Sequence, residues 1–150
     1  MITIAPVKVL LADDDPEDRQ LTQNAFIENR LVNELDCVED GEELMEYLHR
    51  RGRYSNLQNV PLPQLILLDL KMPRKDGCEA LKEIRADPNL RRIPIVILST
   101  SAAEGDIQLS YDLGANSYVT KPATFESLME LVKIINHYWF EVVKVPQDVV

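Results

Sequence analysis

Five short apolar runs, separated by segments of helical length, constrain this chain more than any other feature. Val7 to Ala12 is apolar apart from Lys8, and Leu65 to Leu68 and Ile95 to Leu98 are wholly apolar. Leu35 to Val38 is a weaker run and Ser117 to Val119 a short one. Runs of this length that do not alternate with polar residues are strands buried on both faces, as in a parallel sheet. Parallel neighbours need crossover connections, and the intervening segments supply them as helices. The pattern predicts an α/β fold: a doubly wound, five-stranded parallel sheet with helices on both faces.

The helices carry their own punctuation. Asp15-Pro16 places an N-cap before a proline at the first helical position, with Glu17 and Asp18 suiting the positive end of a helix that runs to about Asn29. Glu42 to Arg51 forms a second helix, with Leu44, Tyr47 and Leu48 on one face and Gly52 as its stop. Asp76-Gly77 leads into a third that Pro88 ends. Glu104 to Leu113 is a fourth, stopped by Gly114. Thr124 caps the last, whose Leu128, Leu131, Val132 and Ile135 form an apolar stripe. Gly52 to Pro63 is the longest loop, with little periodicity, and reads as an inert surface insertion.

At 150 residues the chain fits one domain, with a core over about 7–138 and an apolar tail over 139–150, and leaves no room for an output domain. A net charge of −9 argues against a nucleic-acid partner. The local basic clusters, Arg50, Arg51 and Arg53 and then Arg91 and Arg92, read as solvated helix ends. No run approaches the ~18 apolar residues of a membrane span. Met1 to Pro6 lacks the charged start and apolar core of a secretory signal. Cys37 and Cys78 have neither metal-ligand nor redox spacing and read as small packing residues in a reducing, cytoplasmic setting.

Polar residues stand where the strands leave the core: Asp13 and Asp14 after the first, Asp69 after the third, Ser99 after the fourth and Lys121 after the fifth. In an open parallel sheet these carboxyl ends converge on the ligand crevice. Asp13 and Asp14 are adjacent, so both cannot point into the core. Carboxylates brought together raise each other's pKa unless a cation intervenes, and Mg²⁺ suits such a hard oxygen set. An aspartate can accept a phosphoryl group covalently. The Lys121 ammonium and the Ser99 hydroxyl would then balance and bind the phosphoryl oxygens.

Asp13-Asp14, the run Leu67-Leu68-Asp69-Leu70-Lys71-Met72-Pro73, Asp76-Gly77, Ser99 and Tyr118-Val119-Thr120-Lys121-Pro122 resemble the receiver domain of two-component response regulators from Val7 to about Tyr138. The resemblance implies a flavodoxin-like strand order 2-1-3-4-5. It makes Asp69 the phosphoacceptor for a sensor histidine kinase. Asp13, Asp14, Asp69 and the backbone carbonyl of Lys71 become ligands for Mg²⁺, which Mn²⁺ or Ca²⁺ could replace in crystals. Ser99 and Lys121 bind the phosphoryl group, and Tyr118 is the aromatic switch that turns inward as Ser99 moves. The protein is then a switch acting on itself and not an enzyme for other substrates.

The long loop before Asp69, the stretch Pro88 to Pro94, Ser99-Thr100-Ser101 and the tail Tyr138-Trp139-Phe140 are similar to stand-alone receivers paired with bacterial phytochrome kinases. Two positions depart from the common pattern. Ser99 stands where Thr is commoner, and Thr100 where a very small residue is usual, so Thr100 is expected to slow phosphoryl exchange. Lys71 and Ser101 flank the site and can tune the same lifetime. The tail either folds over its own core or forms a homodimer seam with Ile107, Tyr111, Met129, Trp139 and Phe140. An aspartate-nucleophile phosphatase is the alternative, but it wants a carboxylate two residues after the nucleophile, where this chain has Lys71. A nucleotide-binding domain would want a glycine-rich first turn in place of Asp13-Asp14-Asp15-Pro16.

Overall fold

The structure, a computed structural model, describes residues 7–29 and 33–146. Met1 to Pro6, on which the absence of a secretory signal rests, and the last four residues of the tail lie outside the described residues. The strands are β1 (Val7–Ala12), β2 (Asn33–Val38), β3 (Leu65–Leu68), β4 (Ile95–Ser99) and β5 (Ser117–Thr120). The helices are α1 (Pro16–Glu28), α2 (Gly41–His49), α3 (Gly77–Ala86), α4 (Glu104–Asp112) and α5 (Phe125–Asn136). All strand pairs are parallel, in the order β2-β1-β3-β4-β5. This is the expected doubly wound sheet. Strand β2 begins at Asn33, earlier than Leu35, and Ser99 belongs to β4 itself.

Alternation along each strand divides the core. Leu10, Ala12, Ile66, Leu68, Ile95 and Ile97 meet α2 and α3 on one face, through Leu44, Leu48, Leu81 and Ile84. Val9, Leu11, Leu65, Leu67 and Val96 meet α1 and α5 on the other, through Ala25, Phe26, Leu128, Val132 and Ile135. The central strands bury both sets, which is why their sequence shows no polar alternation. Lys8, the one charge inside β1, reaches Glu34 at 3.7 Å and Asp36 at 3.5 Å on β2.

Four helix starts are capped by side chains: Asp15, Asp76 and Thr124, and also Asp40, which the sequence reading did not single out, each accept a main-chain N–H of the first turn. The stop of α2 differs from expectation. Arg50, two residues before Gly52, is the left-handed residue (φ 56°) that ends the helix, and Gly52 takes a second positive φ (57°) in the loop beyond it. Its side chain is buried rather than solvated, donating to the carbonyls of Tyr47 (3.0 Å), Val60 (2.9 Å) and Pro61 (3.1 Å). Those bonds offset the cost of a positive φ without glycine. The loop that follows contains a 3₁₀ turn, Gly52–Leu57, pinned to α2 because Tyr54 donates to the buried Glu43 carboxylate at 2.5 Å.

Beyond α5 the chain continues as a π-helical turn, His137–Val142. Trp139 and Phe140 pack from it against the second core cluster. Among the described residues no helix is long and apolar enough to cross a membrane.

Candidate functional site

Sheet hydrogen bonds carry the site residues to one edge of the core. The Asp13 N–H donates to the Val38 carbonyl at 3.1 Å, and the Asp69 N–H to the Ala12 carbonyl at 3.0 Å. The Lys121 N–H donates to the Ser99 carbonyl at 2.7 Å. Asp13, Asp69, Ser99 and Lys121 are thereby held beside one another by the ladder that builds the fold. Glycine at 77 is required here, since a Cβ would lie 2.3 Å from the Asp69 carbonyl oxygen where α3 starts.

Asp13 is buried, and its Oδ1 accepts from the Asp15 N–H at 3.0 Å, while Arg19 donates to its carbonyl at 2.8 Å. Asp14 turns outward and is exposed, so the adjacent pair divides as the sequence requires. Asp69 is buried, with the Lys71 N–H 3.4 Å from its Oδ1. The Lys71 side chain is exposed. Asp13, Asp14 and Asp69 each offer a carboxylate oxygen within 4.8 Å of the others. This all-oxygen donor set fits a hard divalent cation such as Mg²⁺.

Lys121 reaches over from the end of β5 to Asp13 (2.8 Å), Asp69 (3.1 Å) and Asp18 (2.8 Å). Burial works against its charge, but the hydrogen bonds it donates to Asp13 and Asp18 and the charges of Asp13 and Asp69 outweigh it and hold the ammonium above its ordinary range. Burial pushes the Asp13 carboxyl upward, opposed by Lys121 and the Asp15 N–H. One ammonium among four carboxylates leaves an excess of negative charge that a cation would relieve.

Ser99 is fully buried, and its Oγ accepts from the Ser101 N–H at 3.2 Å. Thr100 is exposed beside it. The Tyr118 hydroxyl donates to the Ser101 carbonyl at 2.9 Å, with the ring packed against the first core cluster, so the aromatic ring is turned inward. Ser101 donates to Asp106 of α4 at 2.5 Å. The sequence reading missed Asp18 and Asp106. Asp18 was accounted for as a first-turn acid, and no spacing rule links either residue to its partner. Of the expected dimer residues, Tyr111 is exposed, Ile107 is half-buried, and Met129, Trp139 and Phe140 are half-buried against the chain's own second core cluster.

The family model for the response regulator receiver domain matches residues 9–133. The chain belongs to that family. This receiver is 40% identical to response regulator Rcp1 of Synechocystis sp. over 141 residues, which is 94% of this chain and 94% of Rcp1. It is similar to the phosphorylated cyanobacterial phytochrome response regulator RcpA, with 44% identity, a TM-score of 0.87, and coverage of 95% of this chain and 99% of RcpA. Against the Mn²⁺-bound form of Rcp1 the TM-score is 0.83 at 40% identity, covering 94% and 99% of the two chains. The likeness to phytochrome response regulators read from the long loop and aromatic tail is borne out.

Proposed function

We propose that this receiver accepts a phosphoryl group on Asp69 from a sensor histidine kinase of phytochrome type. The single observation that carries the reading is Asp69 Oδ2 lying 3.1 Å from Lys121 Nζ within the Asp13, Asp14 and Asp69 cluster. An Asp69 carboxylate oxygen attacks phosphorus and the phosphorus–nitrogen bond of the phosphohistidine breaks. The departing imidazole nitrogen keeps the electron pair, and a proton carried on the other ring nitrogen of the phosphohistidine lets the ring leave as neutral imidazole on the kinase. Lys121 offsets charge on the phosphoryl oxygens, and the Ser99 hydroxyl donates to one of them. A divalent cation held by Asp13, Asp14, Asp69 and the Lys71 carbonyl would supply further charge neutralisation when bound. The Mn²⁺-bound Rcp1 structure supports that choice of ion class.

The output is a change of surface, not turnover of another substrate. Ser99 drawn toward the phosphoryl group disturbs its bond to Ser101, and Ser101 links both Tyr118 and α4. A partner or second copy that prefers one arrangement shifts the population. We assign homodimer formation to the faces of α4 and α5 with the tail, where Tyr111, Ile134 and Tyr138 are exposed. Phosphotransfer from a kinase using ATP assigns the protein to the cytoplasm. Thr100 at the mouth slows exchange, so Thr100→Ala shortens the phosphoryl half-life; an unchanged half-life removes that role. Lys71 and Ser101 tune the same lifetime from either side.

Transfer from an autophosphorylated phytochrome histidine kinase tests the whole reading. Label is expected to leave the kinase for wild-type receiver and to stay on the kinase with Asp69→Asn. Equal transfer to both would overturn it. The phosphatase alternative gains nothing from the geometry, since Lys71 offers no acid.

A further inference from the structure

An ammonium group has three N–H donors, and in this receiver each of the three faces a carboxylate: Asp13, Asp18 and Asp69. Two of those partners, Asp13 and Asp69, belong to the cluster that fits a divalent cation; Asp18 does not. Asp18 comes from the first turn of α1, and its side chain is one-third exposed. The three anchors are thus unequal. A cation competes for Asp13 and Asp69 and repels the ammonium, whereas Asp18 keeps its charge for Lys121 alone.

We infer that Asp18 is a positioning residue for phosphoryl transfer: it holds the Lys121 ammonium over Asp69 when the other two carboxylates are engaged. With one donor kept on Asp18, another stays aimed at the Asp69 carboxylate and hence at a phosphoryl oxygen carried there. Lysine has four rotatable side-chain bonds and a compact charge, so without a second fixed anchor it samples solvent. Asp18 is fixed in its turn, because its own N–H lies 3.4 Å from the Asp15 cap and its carbonyl accepts from the buried Thr22 hydroxyl at 2.9 Å. The opposite effect is also physically available. Asp18 adds negative charge near a dianionic donor, and if repulsion dominated, its removal would speed the reaction. The three-carboxylate grip on one ammonium favours positioning, since hydrogen bonds to a charged group outweigh a partly screened repulsion. This inference rests on the proposed phosphoacceptor role of Asp69.

The test compares wild type, Asp18→Asn and the control Glu17→Gln, which removes a neighbouring first-turn acid that does not touch Lys121. Initial labelling by acetyl phosphate with Mg²⁺ is read by intact mass, and the Lys121 ammonium resonance is read by NMR in metal-free protein. Asp18→Asn is expected to slow labelling by about tenfold and to broaden or lose the Lys121 ammonium signal, with Glu17→Gln matching wild type in both. Unchanged or faster labelling in Asp18→Asn, or an unaltered Lys121 signal, overturns the inference while leaving the Asp69 reading intact. Wild type that takes no label overturns the Asp69 reading, and this one with it.

Discussion

The Tyr118 hydroxyl donates to the main-chain carbonyl of Ser101 at 2.9 Å, tying the ring on β5 to the loop after β4. Ser101 also donates to Asp106 and gives its N–H to Ser99, so one residue joins the buried hydroxyl, the Tyr118 ring and α4. Tyr118→Phe keeps the ring and removes only the donor. It should cost about 1 kcal/mol in urea unfolding and raise hydrogen exchange across residues 99–103. Unchanged protection of that loop would show that the hydroxyl does not restrain it.

Arg85 is a neutral-acceptor clamp. Its guanidinium donates to the carbonyls of Gly114 (2.8 Å), Arg91 (2.9 Å) and Ile93 (2.9 Å) and to the Asn116 side chain (2.9 Å). Burial lowers its pKa from the usual guanidinium range. The planar fork spans the end of α3, the 88–94 loop and the approach to β5, which a lysine cannot do. Arg85→Lys is therefore expected to lose about 2–3 kcal/mol, read as a lower urea midpoint at unchanged slope. Wild-type stability in the variant would refute the clamp.

Acid should weaken the fold through Asp40. Burial raises the pKa of this α2 cap, but bonds from the Glu43 N–H (2.8 Å) and from Arg74 (2.8 and 3.0 Å) outweigh it and hold the carboxyl below its ordinary value. A depressed folded-state pKa stabilises fully above the unfolded value of about 3.9. That contribution is lost as pH falls through the folded-state pKa. Asp40→Asn retains a cap but not the charge, so its stability should fall less steeply than wild type below about pH 4. Parallel urea midpoints across that range would contradict the assignment.

The sequence disclosed whatever depends on local pattern. Val7–Ala12 and Leu65–Leu68 are strands with the bounds read from their apolar runs, and Asp15, Asp76 and Thr124 cap the helices they precede. Asp13, Asp69, Ser99 and Lys121 were legible because each stands at a strand end of one sheet. Arg50 was not, because its positive φ is held by carbonyls ten and eleven residues away, and glycine at 52 offered a simpler stop. Asp18 was hidden for a related reason. Its sequence role at the helix start is real, and its bond to Lys121 spans 103 residues. The grip of Arg85 on Gly114 and Asn116 is likewise a property of packing alone.

The tail separates two structural roles. Trp139 and Phe140 pack on the chain's own core, whereas Tyr138 beside them and Ile134 on the last turn of α5 present apolar surface. Truncation after His137 removes the first pair and should destabilise the monomer by about 2 kcal/mol. If the tail also forms the dimer seam, sedimentation of the truncated protein will show a weaker dimer. Assembly identical to wild type would confine the tail to its intramolecular role.

Asp69 is proposed as the residue that carries the phosphoryl group. Intact mass after acetyl phosphate treatment with Mg²⁺ reads it directly. Wild type should gain a single phosphoryl adduct and Asp69→Asn none; an equal adduct on the Asp69→Asn protein would contradict the account.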